Sequence, residues 1–220
     1  MFEHIIIELK RSGIKGICVV IRKGKEVIEE YLKRRGYKGI EINFVYQKKP
    51  LGIGEALRRA KDFVGRAPFI MALPDQVLLS KKPATRQLLE QSKEAGGIWN
   101  SMVKIPKKES HFFEGARSFK YQKGDGNFYV LKGFTQDKGS SIRGFGRTVF
   151  LPEALNYMTR EYLNDQTGEV DLFKTYEAIQ TRFPIYGTIL EGVPCDLGTW
   201  EGYSYYLPGI LRFMRQEEGL

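Results

Sequence analysis

Two short, continuous apolar runs constrain this chain more than anything else in it: Ile17-Cys18-Val19-Val20-Ile21, and Phe69-Ile70-Met71-Ala72-Leu73 after Pro68. Each has the length of a strand and is too short for a buried helix. An apolar run without alternation is what a strand covered on both faces requires. Between them, Ile40 to Tyr46 reads as a further strand. The intervening segments have helical period: Phe2, Ile5, Ile6 and Leu9 share a face that ends at Ser12-Gly13, Lys25 to Arg35 is closed by Gly36, and Glu55 to Phe63 forms a third helix. Helices and strands in alternation predict an α/β sheet covered on both sides.

Beyond residue 97 the pattern turns antiparallel in character. Ile98 to Lys104, Phe128 to Phe134 and Thr148 to Leu151 read as strands, with the turn Lys123-Gly124-Asp125-Gly126-Asn127 among them. Leu151, Leu155, Met158 and Tyr162 predict a helix, Glu169 to Thr181 another, and Ile185 to Leu190 a strand. The C-terminal face of Tyr203, Tyr206, Leu207, Ile210, Leu211 and Met214 is helical, and Pro208 predicts a break into two pieces. With no repeat and no long linker, residues 1–220 are expected to form one domain, with halves 1–110 and 111–220.

Several function classes are excluded early. No apolar run approaches the roughly 20 residues that span a bilayer. The start, Met1-Phe2-Glu3-His4, carries acid where a signal peptide carries base. Cys18 and Cys195 make neither a disulfide framework nor a zinc cluster, and His4 and His111 alone exclude a histidine-rich metal site. A cytoplasmic protein is expected. The net charge of +9 belongs to the first half, because residues 1–110 hold 23 basic and 12 acidic side chains against 12 and 14 in residues 111–220. Such an excess favours polyanionic partners, phosphorylated small molecules among them, or else is a solvated lysine-rich surface. No nucleic-acid-binding motif accompanies it.

Ligands of open α/β sheets bind beyond the carboxyl ends of the strands. Three segments qualify. Tyr46-Gln47-Lys48-Lys49-Pro50-Leu51-Gly52-Ile53-Gly54-Glu55-Ala56-Leu57 runs from a strand through a turn into a helix. It is not a dinucleotide fingerprint, since Leu57 stands at the third glycine position, and it reads equally as a tight turn. Gln47 and the backbone at Gly52 suit the edge of a base. In Leu73-Pro74-Asp75-Gln76 an aspartate ends a buried strand, a costly place unless it is hydrogen-bonded, caps a turn or holds a cation. Asp196 in Cys195-Asp196-Leu197-Gly198-Thr199-Trp200 is placed similarly, with Thr199 as a helix cap. Two carboxylates brought together suit Mg²⁺.

These segments carry a resemblance. Extended to residues 68–75 and 195–203, and joined by Gly146-Arg147-Thr148-Val149-Phe150-Leu151-Pro152-Glu153 and Gly168-Glu169-Val170, they follow along the chain in the order of the sugar-1-phosphate nucleotidyltransferases, which the sequence resembles, especially the glucose-1-phosphate uridylyl- and thymidylyltransferases. The resemblance implies a Rossmann-like three-layer α/β/α fold with a mixed sheet. It implies condensation of a sugar 1-phosphate with UTP or dTTP, giving a nucleotide sugar and pyrophosphate. It places Gln47 and Gly52 on a pyrimidine, Asp75 and Asp196 on Mg²⁺ as the catalytic pair, and Gly115 against the sugar. For the sugar phosphate it points to Lys138, with Lys132 as the alternative. The partners it implies are a nucleoside triphosphate or nucleotide sugar and a sugar 1-phosphate, with no membrane or nucleic acid; a homo-oligomer is left open.

The family's first strand and its loop Gly-Gly-x-Gly-Thr-Arg are not matched: Met1 aligns just after them, so the sheet is expected to miss its first strand. A longer parent protein, a degenerate paralogue and a partner-completed subunit are the three explanations, the first preferred. Little or no transferase activity is expected of the chain by itself. The alternative function is a non-catalytic nucleotide-sugar-binding or assembly subunit.

Overall fold

The alternation of helix and strand is realised in a computed structural model, which describes residues 2–113, 115–124, 127–135, 140–164, 167–170 and 172–218. The helices are α1 (Phe2–Arg11), α2 (Val27–Arg35), α3 (Gly52–Arg59), α4 (Lys61–Val64), α5 (Ala84–Gln91), α6 (Leu172–Gln180) and α7 (Trp200–Glu218). The strands are β1 (Gly16–Arg22), β2 (Glu41–Gln47), β3 (Phe69–Ala72), β4 (Gln76–Leu79), β5 (Ile98–Lys104), β6 (Ser118–Lys123), β7 (Tyr129–Thr135), β8 (Ile142–Phe150), β9 (Ile185–Ile189) and β10 (Val193–Asp196).

The chain divides into two compact units, each assembled from separated stretches of sequence. The first comprises Met1–Ser12, Ile70–Val149 and Ile185–Leu220. Its six-stranded sheet has the order β3-β8-β5-β9-β7-β6 and is mixed, because β5 pairs antiparallel with β8 and parallel with β9. β5 is buried from Ile98 to Val103, as a central strand must be. Its Trp99 is wholly enclosed and packs on Phe128 and Tyr186, with ring centroids 5.3 and 4.8 Å away. The indole N–H donates to Ala95 O at 2.9 Å, which satisfies the one polar atom that burial would strand. A separate antiparallel ribbon, β4 with β10, packs with α7 through Val77, Leu78, Phe113, Tyr206 and Ile210.

The second unit comprises Gly13–Phe69 and Phe150–Pro184. In it β1 and β2 pair in parallel, Gly16 opposite Glu41 through Arg22 opposite Gln47, with α2 as the crossover. Val170 N donates to Leu51 O at 2.8 Å and so fastens the segment before α6 to the turn that opens α3.

Four departures from the sequence reading have local causes. The helix read over Glu55 to Phe63 divides at Ala60 into α3 and α4. The helix read from Leu151 to Tyr162 is instead two 3₁₀ turns, Pro152–Tyr157 and Arg160–Tyr162. There Ala154, Met158 and Tyr162 each bond the carbonyl three residues back. Pro208 does not break the last helix, because α7 is continuous and both Pro208 and Ser204, whose carbonyl loses its partner, are exposed to water. The short strands β4 and β10 have no signature of their own: β10 contains Pro194, which a two-stranded ribbon tolerates where a central strand would not. No helix among the described residues is long and apolar enough to cross a membrane.

Candidate active site

The register of one ribbon sets the local geometry. In the pairing of β4 with β10, Gln76 stands opposite Asp196, and directly opposed residues project to the same face. Gln76 Nε2 accordingly donates to Asp196 Oδ2 at 2.8 Å. The other oxygen, Oδ1, accepts the N–H of Gly198 at 2.9 Å, a turn closed two residues on. Thr199 then caps α7, its hydroxyl accepting from Gly202 N at 3.1 Å. Asp196 is buried with both oxygens hydrogen-bonded and with a lone pair left on each.

Asp75 reaches the same place from the turn between β3 and β4. Its carbonyl accepts Leu197 N at 2.8 Å. A Cβ built on Gly198 would lie 3.0 Å from Asp196 Oδ1 and 3.4 Å from Asp75 Oδ2, so both carboxylates border one gap over that glycine. Burial, and after it the charge of Asp196, raises the Asp75 carboxyl above the usual carboxylate range. Among the described residues no third His, Cys, Asp or Glu joins them into a larger metal-ligating group. Two carboxylates alone fit a cation that keeps water and takes phosphate oxygens, as Mg²⁺ does, rather than tetrahedral zinc. Cys195, beside Asp196, is no competing ligand at neutral pH, since burial pushes its thiol up to about 12.

The turn of Asp75 is held from behind. Arg147, in the middle of β8, is wholly buried; its Nη1 donates to Leu73 O (3.0 Å) and Gly146 O (2.8 Å), and its Nη2 to Gln76 O (3.2 Å). Its Nε meets Glu8 Oε2 on α1 at 3.2 Å. Glu8 also accepts the N–H of Thr85 at 2.7 Å and its hydroxyl at 3.2 Å. Gly146 lets the turn come this close, since a Cβ there would stand 2.7 Å from Leu73 Cβ.

The other sequence candidates lie elsewhere. Gln47 ends β2, and its Nε2 donates to Gly52 O at 3.1 Å, which draws the two together within the second unit. Gly52 has φ of +84°, and a Cβ on it would meet Glu169 Cβ at 2.9 Å and Val170 O at 3.2 Å. Both facts require glycine there. Gly115 has nothing within 4 Å of a built Cβ. Lys132 is exposed on β7, and Lys138 lies outside the described residues. A cavity of about 750 Å³ borders Gly192, at the end of the ribbon away from Asp196 and walled in part by Lys82, Lys104 and Lys123, and none of the candidates among the described residues lines it. Converging carboxylates identify a site by its chemistry better than volume does.

Sequence reasoning missed Glu8, Gln76 and Arg147 as parts of this site. A signal existed for two of them. A carboxylate in the apolar stripe of α1, beside Ile5 and Leu9, and an arginine inside the core-facing run of β8 are both charges at core positions, which must find partners.

The comparisons agree with this architecture. UTP–glucose-1-phosphate uridylyltransferase of Bacillus subtilis (strain 168) is 25% identical over 99% of this chain and 81% of its own length. Among solved structures, a UDP-glucose pyrophosphorylase complexed with UDP-glucose superposes with a TM-score of 0.83 at 16% identity, over 96% of this chain and 86% of the other. A UDP-glucose pyrophosphorylase from Acinetobacter baumannii gives 0.75 at 20% identity, over 97% and 82%. The fold is therefore the α/β nucleotidyltransferase fold with its mixed sheet. The nucleotidyl transferase family model matches residues 1–114, more than half of the sequence and the part that bears Asp75, and so this chain belongs to the nucleotidyl transferase family.

Proposed function

We propose that the protein condenses a sugar 1-phosphate with UTP or dTTP, and that its sugar is glucose, in keeping with the uridylyltransferase relatives. The observation that carries this reading is the convergence of Asp75 and Asp196 on one gap over Gly198 in a chain of this family. In the reaction a phosphate oxygen of the sugar attacks the α-phosphorus. A new P–O bond forms, the bond between the α- and β-phosphates breaks, and pyrophosphate leaves with the electron pair. No proton needs to move at the reacting centre, so positioning and charge neutralisation are the whole task.

Nucleotidyl transferases generally use divalent metal ions, and in this reading the ion is Mg²⁺, with Asp75 and Asp196 as its protein ligands. What such an ion supplies when bound is neutralisation of phosphate charge. Gln76 and Gly198 orient the Asp196 carboxylate toward it. Gln47 and Gly52 read the pyrimidine: with Nε2 committed to Gly52 O, the Gln47 side chain offers its Oε1 as an acceptor, which suits the imide N–H of uracil or thymine. Gly115 is proposed against the sugar, and Lys138 or Lys132 on its phosphate.

The test is turnover in both directions, with pyrophosphate release from UTP or dTTP plus glucose 1-phosphate and the reverse reaction from UDP-glucose. Asp75→Ala and Asp196→Ala are each expected to lower kcat at least ~100-fold, more than loss of an outer partner does. Wild-type turnover in either variant rejects the site. Mg²⁺-dependent UDP-glucose binding without turnover would assign the chain to a binding role instead.

A further inference from the structure

The two carboxylates over Gly198 repel one another, yet neither is turned away. No arginine or lysine bonds to either one among the described hydrogen bonds and ion pairs. Arg147 sits behind the Asp75 turn and contacts it only through backbone. The carbonyls it grips belong to Leu73 and Gln76, on either side of the Pro74-Asp75 pair. A planar guanidinium bonds the two carbonyls from two nitrogens held in a fixed fork, whereas an ammonium would have to reach both from one point. The charge of Arg147 is answered by Glu8, itself held by both donors of Thr85. Glu8 is thus the carboxylate that bonds the guanidinium, and the hydrogen bonds described for Asp196 come from Gln76 and Gly198 instead.

We infer that Arg147 is the positioning residue of the carboxylate pair: it fixes the backbone on both sides of Asp75 so that the side chain borders the gap shared with Asp196, while Glu8 keeps the guanidinium from pairing with Asp75 itself. The division of labour matters, because an arginine bonded directly to Asp75 would take the lone pairs a divalent cation needs. Gripping the carbonyls leaves the carboxylate free. This inference rests on the proposed role of Asp75 and Asp196 as metal ligands.

The experiment is a titration of Mn²⁺ into the full chain with UDP-glucose present, followed by the free-Mn²⁺ paramagnetic resonance signal, with folding monitored by circular dichroism. Arg147→Lys keeps the charge and loses the fork. It is expected to weaken Mn²⁺ binding about 10- to 100-fold, the usual effect of losing an outer partner of a metal ligand. Glu8→Gln is expected to weaken it in the same direction by less, by freeing Arg147 toward Asp75. A merely structural role would lower the folded fraction and leave the affinity of the folded remainder unchanged. Folded Arg147→Lys with wild-type Mn²⁺ affinity overturns the inference, and if that variant does not fold, Glu8→Gln decides by the same criterion. Asp75→Asn separates the two levels. If it retains wild-type affinity, the metal-ligand reading itself fails. If it loses binding while the Arg147 and Glu8 variants keep theirs, only the role of Arg147 falls.

Discussion

Two turns carry the main candidates, and they are held in shape by different forces. The turn of Asp75 is held by charge in the core: a guanidinium with no exposure bonds three carbonyls and one carboxylate. The turn from Gln47 to Gly52 is held by backbone conformation, a glycine at φ +84° packed on Glu169 and one amide bond from Gln47. Buried charge is worth little while both partners are present and is costly once one is removed. Conformational constraint fails more gently, since its loss costs strain at one residue. The first turn should therefore break abruptly under substitution and the second by degrees.

The largest effect should come from the ion pair. Arg147→Met leaves Glu8 buried without its partner and is expected to cost roughly 3–5 kcal/mol in urea unfolding. Adding Glu8→Gln to that variant should recover part of the loss, and a double variant worse than the single one would contradict the charge argument. Next comes the glycine: Gly52→Ala forces a side chain onto a left-handed backbone and against Glu169, at about 1–3 kcal/mol. Unfolding curves measure that cost, and UDP-glucose titration should show weaker binding in whatever stays folded.

A smaller effect is expected at Gln47. Gln47→Ala removes one partly buried hydrogen bond, worth about 0.5–1.5 kcal/mol, and its clearer signature should be reduced discrimination between UTP and CTP in initial rates. A further effect, read against pH and not at a single pH, comes from His4 on α1, four residues before Glu8. Burial, with Arg147 and Arg11 adding to it against the opposing pull of Glu8, lowers His4 from its ordinary 6.5 to about 4. The native state then resists a proton that the unfolded chain accepts. The stability His4 contributes is present above pH 6.5 and is lost as pH falls toward 4. His4→Leu should flatten that part of the curve of unfolding free energy against pH; an unchanged slope would show that His4 is not its source.

The contrast also explains what could be read in advance. The Gln47–Gly52 turn was legible because its determinants are neighbours in sequence: a strand, a Pro-Leu-Gly bend and a helix start. Asp75 and Asp196 were each legible as aspartates following strands, but with caps and turns as equal readings, because one carboxylate says nothing about a second one far along the chain. Arg147 was visible only as a charge among apolar residues, and its partner on α1 had no local mark beyond sharing a stripe with Ile5 and Leu9. Pro208 misled for the converse reason. Its local preference to end a helix was overridden where Tyr206 and Ile210 on either side of it are buried in the core beneath α7.

From the order of residues alone came the succession of helices and strands, the glycine turn that opens α3, and the short list of side chains able to meet phosphate, base or cation. These depend on period and on turn chemistry, which act over a few residues. Folding in three dimensions decided which of those side chains meet. Asp196 joins Asp75 through the register of a four-residue ribbon, and the arginine behind them is stable only because a helix from the start of the chain brings it a carboxylate. Register and charge pairing are long-range, since each is set by what a distant segment supplies at the moment water is excluded.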